Sequence, residues 1–279
     1  MTDLPAGPVF VPGRLGVRAR HVDGELVLDV HPQPGVQHHG VTRASVLTFA
    51  VDALSGLLMD GDPDLWTFTT DLTLRMRAVP SPEVVTATHT VLREGRRSVT
   101  CAVELTAEGR HVASSSIGFA RVPVRPGDPP KPVVPPELAP EIFSGLPMLS
   151  APLRPEAGVV ALEPPGVVEM AVTPDVVNPA GTLQGAMVAL AVEAAAEDFE
   201  AARSGTDVVV VDLDVRFLAP ARVGPVRSSV RALGESPFGP VEVRLHDLSD
   251  GHLATLAYAR AVRAPHGSNP PEGPRRGIS

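Results

Sequence analysis

Residues 178–196 read NPAGTLQGAMVALAVEAAA, and from Gln184 onward the run is apolar nearly all round. A helix on the surface of a soluble protein keeps a polar face, so a helix without one is a buried helix. The helical segment is expected over Thr182–Ala202, and its one acid at the middle of the apolar stretch is Glu193. A second segment of the same character, Thr42–Met59, carries Asp52. Sliding the chain by 141 residues superposes the two without a gap. Gly40 falls on Gly181, Ala50-Val51-Asp52-Ala53 on Ala191-Val192-Glu193-Ala194, Asp71-Leu72 on Asp212-Leu213, Arg75 on Arg216 and Ala78 on Ala219. Matching chemistry at one fixed offset marks a duplicated unit.

Each copy continues in the same order. After the helix come four strand-like runs, at Trp66–Ala78, Glu83–Arg93, Ser98–Thr106 and His111–Val122, then again at Asp207–Ala219, Pro225–Leu233, Pro240–Leu248 and His252–Val262. Turn signals such as Glu108-Gly109-Arg110 and Asp250-Gly251 separate them. Runs such as TATHTVL alternate with period two, as half-buried antiparallel strands do. Alternating segments precede the helices at Arg14–Asp29 and Gly166–Val172. The expected architecture is α+β, two tandem repeats, each an antiparallel sheet of about five strands wrapped around a buried central helix. The expected organisation is an N-terminal repeat at 1–122, a proline-rich linker at 123–155, a C-terminal repeat at 156–264 and a flexible tail at 265–279. The linker holds eleven of the 31 prolines, a density that argues against a helix or interior strand and for an extended surface connector.

Composition narrows the function classes. The chain has 279 residues, 43% of them hydrophobic, so it can bury a core. A net charge of −8 and only ten aromatic residues leave neither a basic footprint nor a base-stacking surface, which argues against nucleic-acid binding. No apolar run reaches the ~20 residues of a membrane span, and MTDLPAGPVF lacks a basic region followed by an apolar one. A cytoplasmic protein without membrane contact is expected. The single cysteine, Cys101, excludes an internal disulfide and a Cys-based zinc site. His38-His39 has no acidic or thiol partners at ligand spacing, so no metal is expected. Ser114-Ser115-Ser116 lacks the glycine context of a nucleophile elbow. The Arg93-Glu-Gly-Arg96-Arg97 turn is either a phosphate contact or a solvated hairpin tip.

The candidate chemistry lies in the helices. A carboxylate in an apolar helix is costly to bury, so each acid is either hydrogen-bonded for structural reasons or retained for use, and the same place of Asp52 and Glu193 in both copies favours the second. Gly185 opens the second helix, where free backbone N–H groups and the helix dipole favour an anionic or carbonyl oxygen and glycine allows close approach, although taken alone a glycine there is read first as permitting tight helix–sheet packing.

The pattern Asn178, Gln184, Gly185, Glu193 resembles the Asn-x5-[His]-Gly-x7-[Asp/Glu] motif of hotdog-fold acyl-CoA thioesterases of the phenylacetate-pathway (PaaI-like) type, and the duplication resembles their tandem, double-hotdog members. The resemblance implies hydrolysis of an acyl-CoA substrate without a cofactor, at a site between two hotdog units, and a homodimer of such chains is a further expectation. Helix geometry is consistent with it. Gly185 and Glu193 are about 12 Å apart along one helix, so a carbonyl at Gly185 needs an acid from the other copy. Two composite sites follow. In the first, Asn178, Gln184 and Gly185 meet Asp52, with Thr70 where some family members place a water-orienting serine. In the second, Gln37, Arg43 and Ala44 meet Glu193, with Val211 in place of the hydroxyl. The second has lost its glycine, asparagine and hydroxyl, so activity is expected at the first. Alternatives are a non-catalytic acyl-CoA or lipid-binding module and an enoyl-CoA hydratase or dehydratase. The latter needs a histidine that neither helix supplies.

Overall fold

The structure is a computed structural model and describes residues 10–265. The tail expected at 265–279 lies, but for Pro265, outside the described residues. Two long helices, α1 (Ala44–Met59) and α4 (Gly185–Ser204), sit side by side against one sheet. Two one-turn helices, α2 (Ala139–Ile142) and α3 (Leu153–Glu156), fall between them in sequence.

The strands of the first half are β1 (Val17–Val22), β2 (Glu25–Val30), β5 (Leu65–Met76), β6 (Val85–Glu94), β7 (Ser98–Ala107) and β8 (Arg110–Pro123). Those of the second are β9 (Val159–Leu162), β10 (Val167–Met170), β11 (Val208–Phe217), β12 (Val226–Ala232), β13 (Val241–Asp247) and β14 (Leu253–Arg263). They form one antiparallel sheet in the order β1-β2-β6-β7-β8-β5-β11-β14-β13-β12-β10-β9. A small separate ribbon pairs β3 (Gln37–His38) with β4 (Val41–Thr42) just before α1. Helix α1 packs on β2 and β5 to β8, and α4 packs on β9 to β14. Each helix therefore has its own half-sheet, and the apolar circumference read from the sequence is accounted for by strands on one side and the other helix on the next. Ala50, Val51 and Leu54 of α1 and Leu190, Ala191 and Ala194 of α4 are all buried.

The halves join at β5 and β11, and the register reveals their symmetry. Thr73 faces Asp214, its own counterpart. Leu72 faces Val215, the counterpart of Leu74, while Leu74 faces Leu213, the counterpart of Leu72. A pseudo-twofold axis passes between Thr73 and Asp214. The repeated Asp71/Asp212 and Arg75/Arg216 pairs of the sequence face each other here, Asp71 opposite Arg216 and Asp212 opposite Arg75. A bulge recurs too, between Thr69 and Asp71 where β5 meets β8 and between Val210 and Asp212 where β11 meets β14. Gly40 and Gly181 match because both take positive φ, 75° and 70°, in the turn that leads into each long helix.

Several expectations need correction. Each half contributes six strands to the large sheet, where about five were expected. The segment Arg14–Asp29 is a hairpin, reversed at Asp23-Gly24 with φ of 51° and 87°, the positive pair that two-residue hairpin turns favour. Strand β9 lies outside the runs read from the sequence. The proline-rich segment does cross the surface, yet it holds α2 and α3, and it buries Ala139, Phe143, Leu149 and Leu153. Proline is tolerated there because the first-turn N–H groups of a helix have no partner to lose. Among the described residues no helix is long and apolar enough to cross a membrane.

Candidate active site

Asp52 faces the other repeat. Its Oδ1 accepts from Thr69 Oγ1 at 2.7 Å and its Oδ2 from Gln184 Nε2 at 3.1 Å. Thr69 stands on β5 of its own half, whereas Gln184 is the N-cap residue of α4. The same amide works both ways, since Gln184 Oε1 accepts the Ala186 N–H at 2.7 Å. Gly185 is packed against the acid so closely that a Cβ there would stand 3.1 Å from Asp52 Oδ2. Among the described residues the Gly185 N–H makes no hydrogen bond, which leaves the positive end of the helix open beside the carboxylate. Burial pushes the Asp52 carboxyl above the ordinary aspartate range, and the Thr69 hydrogen bond works against that rise.

These groups line a cavity of about 350 Å³ whose wall also includes Asn178, Phe217 and Arg222. A second cavity of about 360 Å³ is also lined by Asp52, Thr69 and Gln184. The acid thus stands where two cavities meet.

The sequence-derived candidates divide as follows. Asp52, Asn178, Gln184 and Gly185 line one cavity, the acid and the helix N-terminus coming from different copies. Asn178, however, spends its Oδ1 on the Ala180 and Thr182 N–H groups at 3.0 and 3.1 Å, folding the loop ahead of α4. Thr70 lines the first cavity, but its hydroxyl donates to Asp71 at 2.9 Å. The hydroxyl on Asp52 is that of Thr69. Thr70, the position implied by the resemblance, is the next residue, and the bulge between Thr69 and Asp71 falls at this point of the strand.

The second composite site is filled. Glu193 Oε1 accepts the Ala44 N–H at 2.9 Å, while Oε2 accepts the Ser45 N–H at 3.2 Å and the Ser45 hydroxyl at 2.5 Å. Arg43 lies 3.8 Å from Glu193 and bonds Glu197 at 3.0 Å, with all three side chains almost wholly inaccessible. Burial raises both glutamates, the charge of Glu197 adds to the rise at Glu193, and Arg43 opposes it. Gln37 instead donates to the Pro32 carbonyl at 3.4 Å, and Val211 is buried. Glu197 was missed from the sequence, although its i+4 spacing from Glu193 places both on one helix face.

One methylene separates the two sites. Glu193 is long enough to seat its carboxylate on the N-terminus of α1, whereas Asp52 stops short of the N-terminus of α4 and is met there by Gln184. Four residues on, repeat two has Glu197 where repeat one has Gly56, counterparts under the same 141-residue shift. Longer side chains close one site and shorter ones open the other.

No family model and no curated protein matches the sequence. Solved structures do match its shape. The tesB protein of Mycobacterium avium subspecies paratuberculosis superposes with a TM-score of 0.60 at 15% identity, over 91% of this chain and 98% of that one. A putative thioesterase II from Thermobifida fusca gives 0.59 at 17%, over 92% and 99%. A protein described as having a hot dog fold, from Alicyclobacillus acidocaldarius, gives 0.55 at 13%, over 91% and 98%. The chain has the hotdog fold. Each long helix is the filling and each six-stranded half-sheet the wrap, and the near-complete coverage of those chains accounts for both hotdogs of the tandem. The hotdog geometry explains the site's position, since the pseudo-twofold axis brings the N-terminus of each central helix to the middle of the other.

Proposed function

We propose that the chain hydrolyses acyl thioesters, acyl-CoA in the first instance, at the open composite site, with Asp52 as general base. The observation that carries this reading is Asp52, held by Thr69 and Gln184 at the unoccupied N–H of Gly185 in an accessible cavity. The names of the similar structures, thioesterases among them, point the same way. Both Asp52 oxygens already accept a hydrogen bond, which favours holding a water over direct attack by the carboxylate. The water gives its proton to Asp52 as its oxygen bonds to the thioester carbon. Negative charge then develops on the carbonyl oxygen, where the Gly185 N–H and the α4 dipole stabilise it. The C–S bond breaks as the carbonyl re-forms, and the leaving thiolate takes the proton from Asp52, which returns to the carboxylate. The elevated Asp52 pKa makes it a stronger base than an exposed aspartate. Among the described residues no histidine lines either cavity, which disfavours a hydratase.

The test is thiol release from a panel of short, medium, branched and aryl acyl-CoAs. Cleavage of at least one thioester, lost in Asp52→Asn, supports the reading. Tight binding of CoA esters without cleavage would instead make the protein a binding module.

A further inference from the structure

The turn that leads into each long helix is held differently in the two repeats. In repeat one the Ser81 N–H donates straight to the Gly40 carbonyl at 2.8 Å, and the Thr42 hydroxyl donates to the Ser81 hydroxyl at 2.9 Å. Under the 141-residue shift Ser81 corresponds to Arg222, Gly40 to Gly181 and Thr42 to Leu183. Arginine and leucine cannot reproduce a contact between two hydroxyls, so repeat two holds the same turn by other means.

It does so through Asp247, the last residue of β13, where repeat one has Thr106. Asp247 is 1% exposed. Its carboxylate accepts the backbone N–H groups of Arg222, Val223 and Gly224 at 3.2, 3.4 and 3.0 Å, and the N–H and hydroxyl of Ser249 at 3.0 and 2.7 Å. An ionised carboxylate is an acceptor alone, and this ring of donors satisfies it. Burial pushes the Asp247 carboxyl up, but the Ser249 hydroxyl and the N–H groups of Ser249, Gly224 and Val223 outweigh that and hold its pKa at about 2. The acceptor therefore stays charged through the neutral range.

The loop fixed in this way, between β11 and β12, grips the turn ahead of α4 at two points. The Ala221 carbonyl accepts the Leu183 N–H at 2.8 Å, and Arg222 Nη1 donates to the Ala180 carbonyl at 2.8 Å. Leu183 directly precedes Gln184, whose own N–H goes to the Val176 carbonyl at 2.9 Å. Gln184 and Gly185 are thus placed by the neighbouring loop as well as by their helix. Such placement has a use, because a donor aimed at developing charge works only when it is fixed to within about 0.5 Å.

We infer that Asp247 and Arg222 are positioning residues of the open site: Asp247 fixes the loop after β11, and Arg222 passes that placement on to the turn carrying Gln184 and Gly185. The consequence for turnover rests on the proposed thioester hydrolysis, whereas the clamp on the N-terminus of α4 stands apart from it. Repeat one, whose site is filled, has neither residue.

Backbone amide hydrogen exchange, read by mass spectrometry, tests the clamp without turnover. In Asp247→Asn, which sets an amide NH2 against backbone donors, residues 178–185 are expected to exchange at least about tenfold faster while residues 190–200, inside α4, are unchanged. Arg222→Met loses the bond to Ala180 and is expected to act alike, whereas Arg222→Lys, whose ammonium can meet that carbonyl, is expected to restore protection. Arg222 is exposed, so its variants carry the test even where Asp247→Asn does not fold. In acyl-CoA cleavage kcat is expected to fall about tenfold in Asp247→Asn and Arg222→Met, with KM changed less than about threefold, because the Gly185 N–H acts on charge that develops only in the transition state. Arg222→Lys should recover kcat, and Ser81→Ala, in the filled repeat, should leave both readouts as in wild type. Unchanged exchange at 178–185 in Asp247→Asn and Arg222→Met overturns the clamp, as does an equal rise at 190–200, which marks general loosening. Faster local exchange with kcat unchanged overturns the positioning role and leaves the hydrolase. Failure of the wild type to cleave any thioester removes the hydrolase reading, and local exchange then decides the clamp alone.

Discussion

Asp52 Oδ2 lies 3.1 Å from Gln184 Nε2, so the acid of one repeat is held by the very amide that caps the other repeat's central helix. An amide can do this because it carries a donor and an acceptor on one planar group: Oε1 satisfies the Ala186 N–H while Nε2 satisfies the carboxylate. The position that holds histidine in the motif the chain resembles is thus occupied by a residue with a defined task. Replacing Asp52 by Asn removes the base while keeping size and much of the hydrogen bonding. The expected loss in kcat is about 10²–10⁴-fold with little change in Tm. A single turnover in ¹⁸O water should place the label in the product acid, whereas unlabelled product would indicate attack by the carboxylate itself.

Thr69 and Thr70 are separable by mutation. Thr69→Val removes a hydrogen bond to the ionised acid and should cost roughly tenfold in kcat/KM, the net value of ~1.5 kcal/mol for a bond to a charged group. That bond holds the Asp52 pKa down against burial. Its removal raises the pKa further, so the acid limb of the kcat/KM profile should move to higher pH. Thr70→Val should leave the limb in place, and a pH-rate series on both variants decides between the two hydroxyls.

That pair also illustrates what was legible from sequence. The two buried helices, the duplication and the crossing of Asp52 onto Gly185 follow from apolar circumference, a fixed offset and the rise of a helix, all of them one-dimensional regularities. The identity of the hydroxyl does not, because a bulge at residue 70 shifts the pleat without marking the sequence. Leu153 and Phe143 were lost for a similar reason: proline density describes the backbone's hydrogen bonding and says nothing about which side chains between the prolines are buried. The closure of the second site depends on how far a glutamate reaches in three dimensions.

Glu193 and its neighbours are expected to matter for stability alone. Glu193→Gln keeps the shape but turns one acceptor into a donor facing the Ala44 or Ser45 N–H. It should cost about 1–3 kcal/mol, as expected when a buried polar group is left unmatched. Below its unfolding temperature the variant should keep most of the proposed thioesterase activity. Comparable losses of kcat in Glu193→Gln and Asp52→Asn would contradict the division into one open and one filled site.

His38 gives the fold a defined acid sensitivity. Burial, then the charge of Arg43, hold its pKa at about 4 against an ordinary 6.5, although its Nε2 lies 3.5 Å from Glu197. The ring is therefore neutral in the fold, where it faces Glu197, Glu193, Arg43, Arg154 and His39. Between these pH values the unfolded chain binds a proton that the native chain does not, so this contribution to stability is complete above pH 6.5 and is lost as pH falls toward 4. Its ceiling is about 3 kcal/mol. The raised glutamates act in the opposite sense above their ordinary value of 4.5, so the histidine is best isolated by difference. The stability gap between wild type and His38→Gln, from denaturant unfolding, should change between pH 4 and 6.5 and be flat above pH 7.

The last expectation turns the asymmetry of the two sites on itself. If the open site works because aspartate stops one methylene short of the helix N-terminus, then Asp52→Glu should recreate at α4 what Glu193 does at α1. The longer carboxylate would reach the Gly185 N–H, and glycine offers no side chain to bar it. A carboxylate on a helix N-terminus is stabilising by about 0.3–1 kcal/mol, so Tm should hold or rise. Activity should nevertheless fall at least about 10²-fold, because the base would occupy the place proposed for the oxyanion, a loss of the size that removing such a donor causes. A conservative acid-for-acid change would thus be nearly as damaging as Asp52→Asn. Retention of more than a tenth of wild-type kcat/KM would show that the reach of the acid is not what keeps this site open.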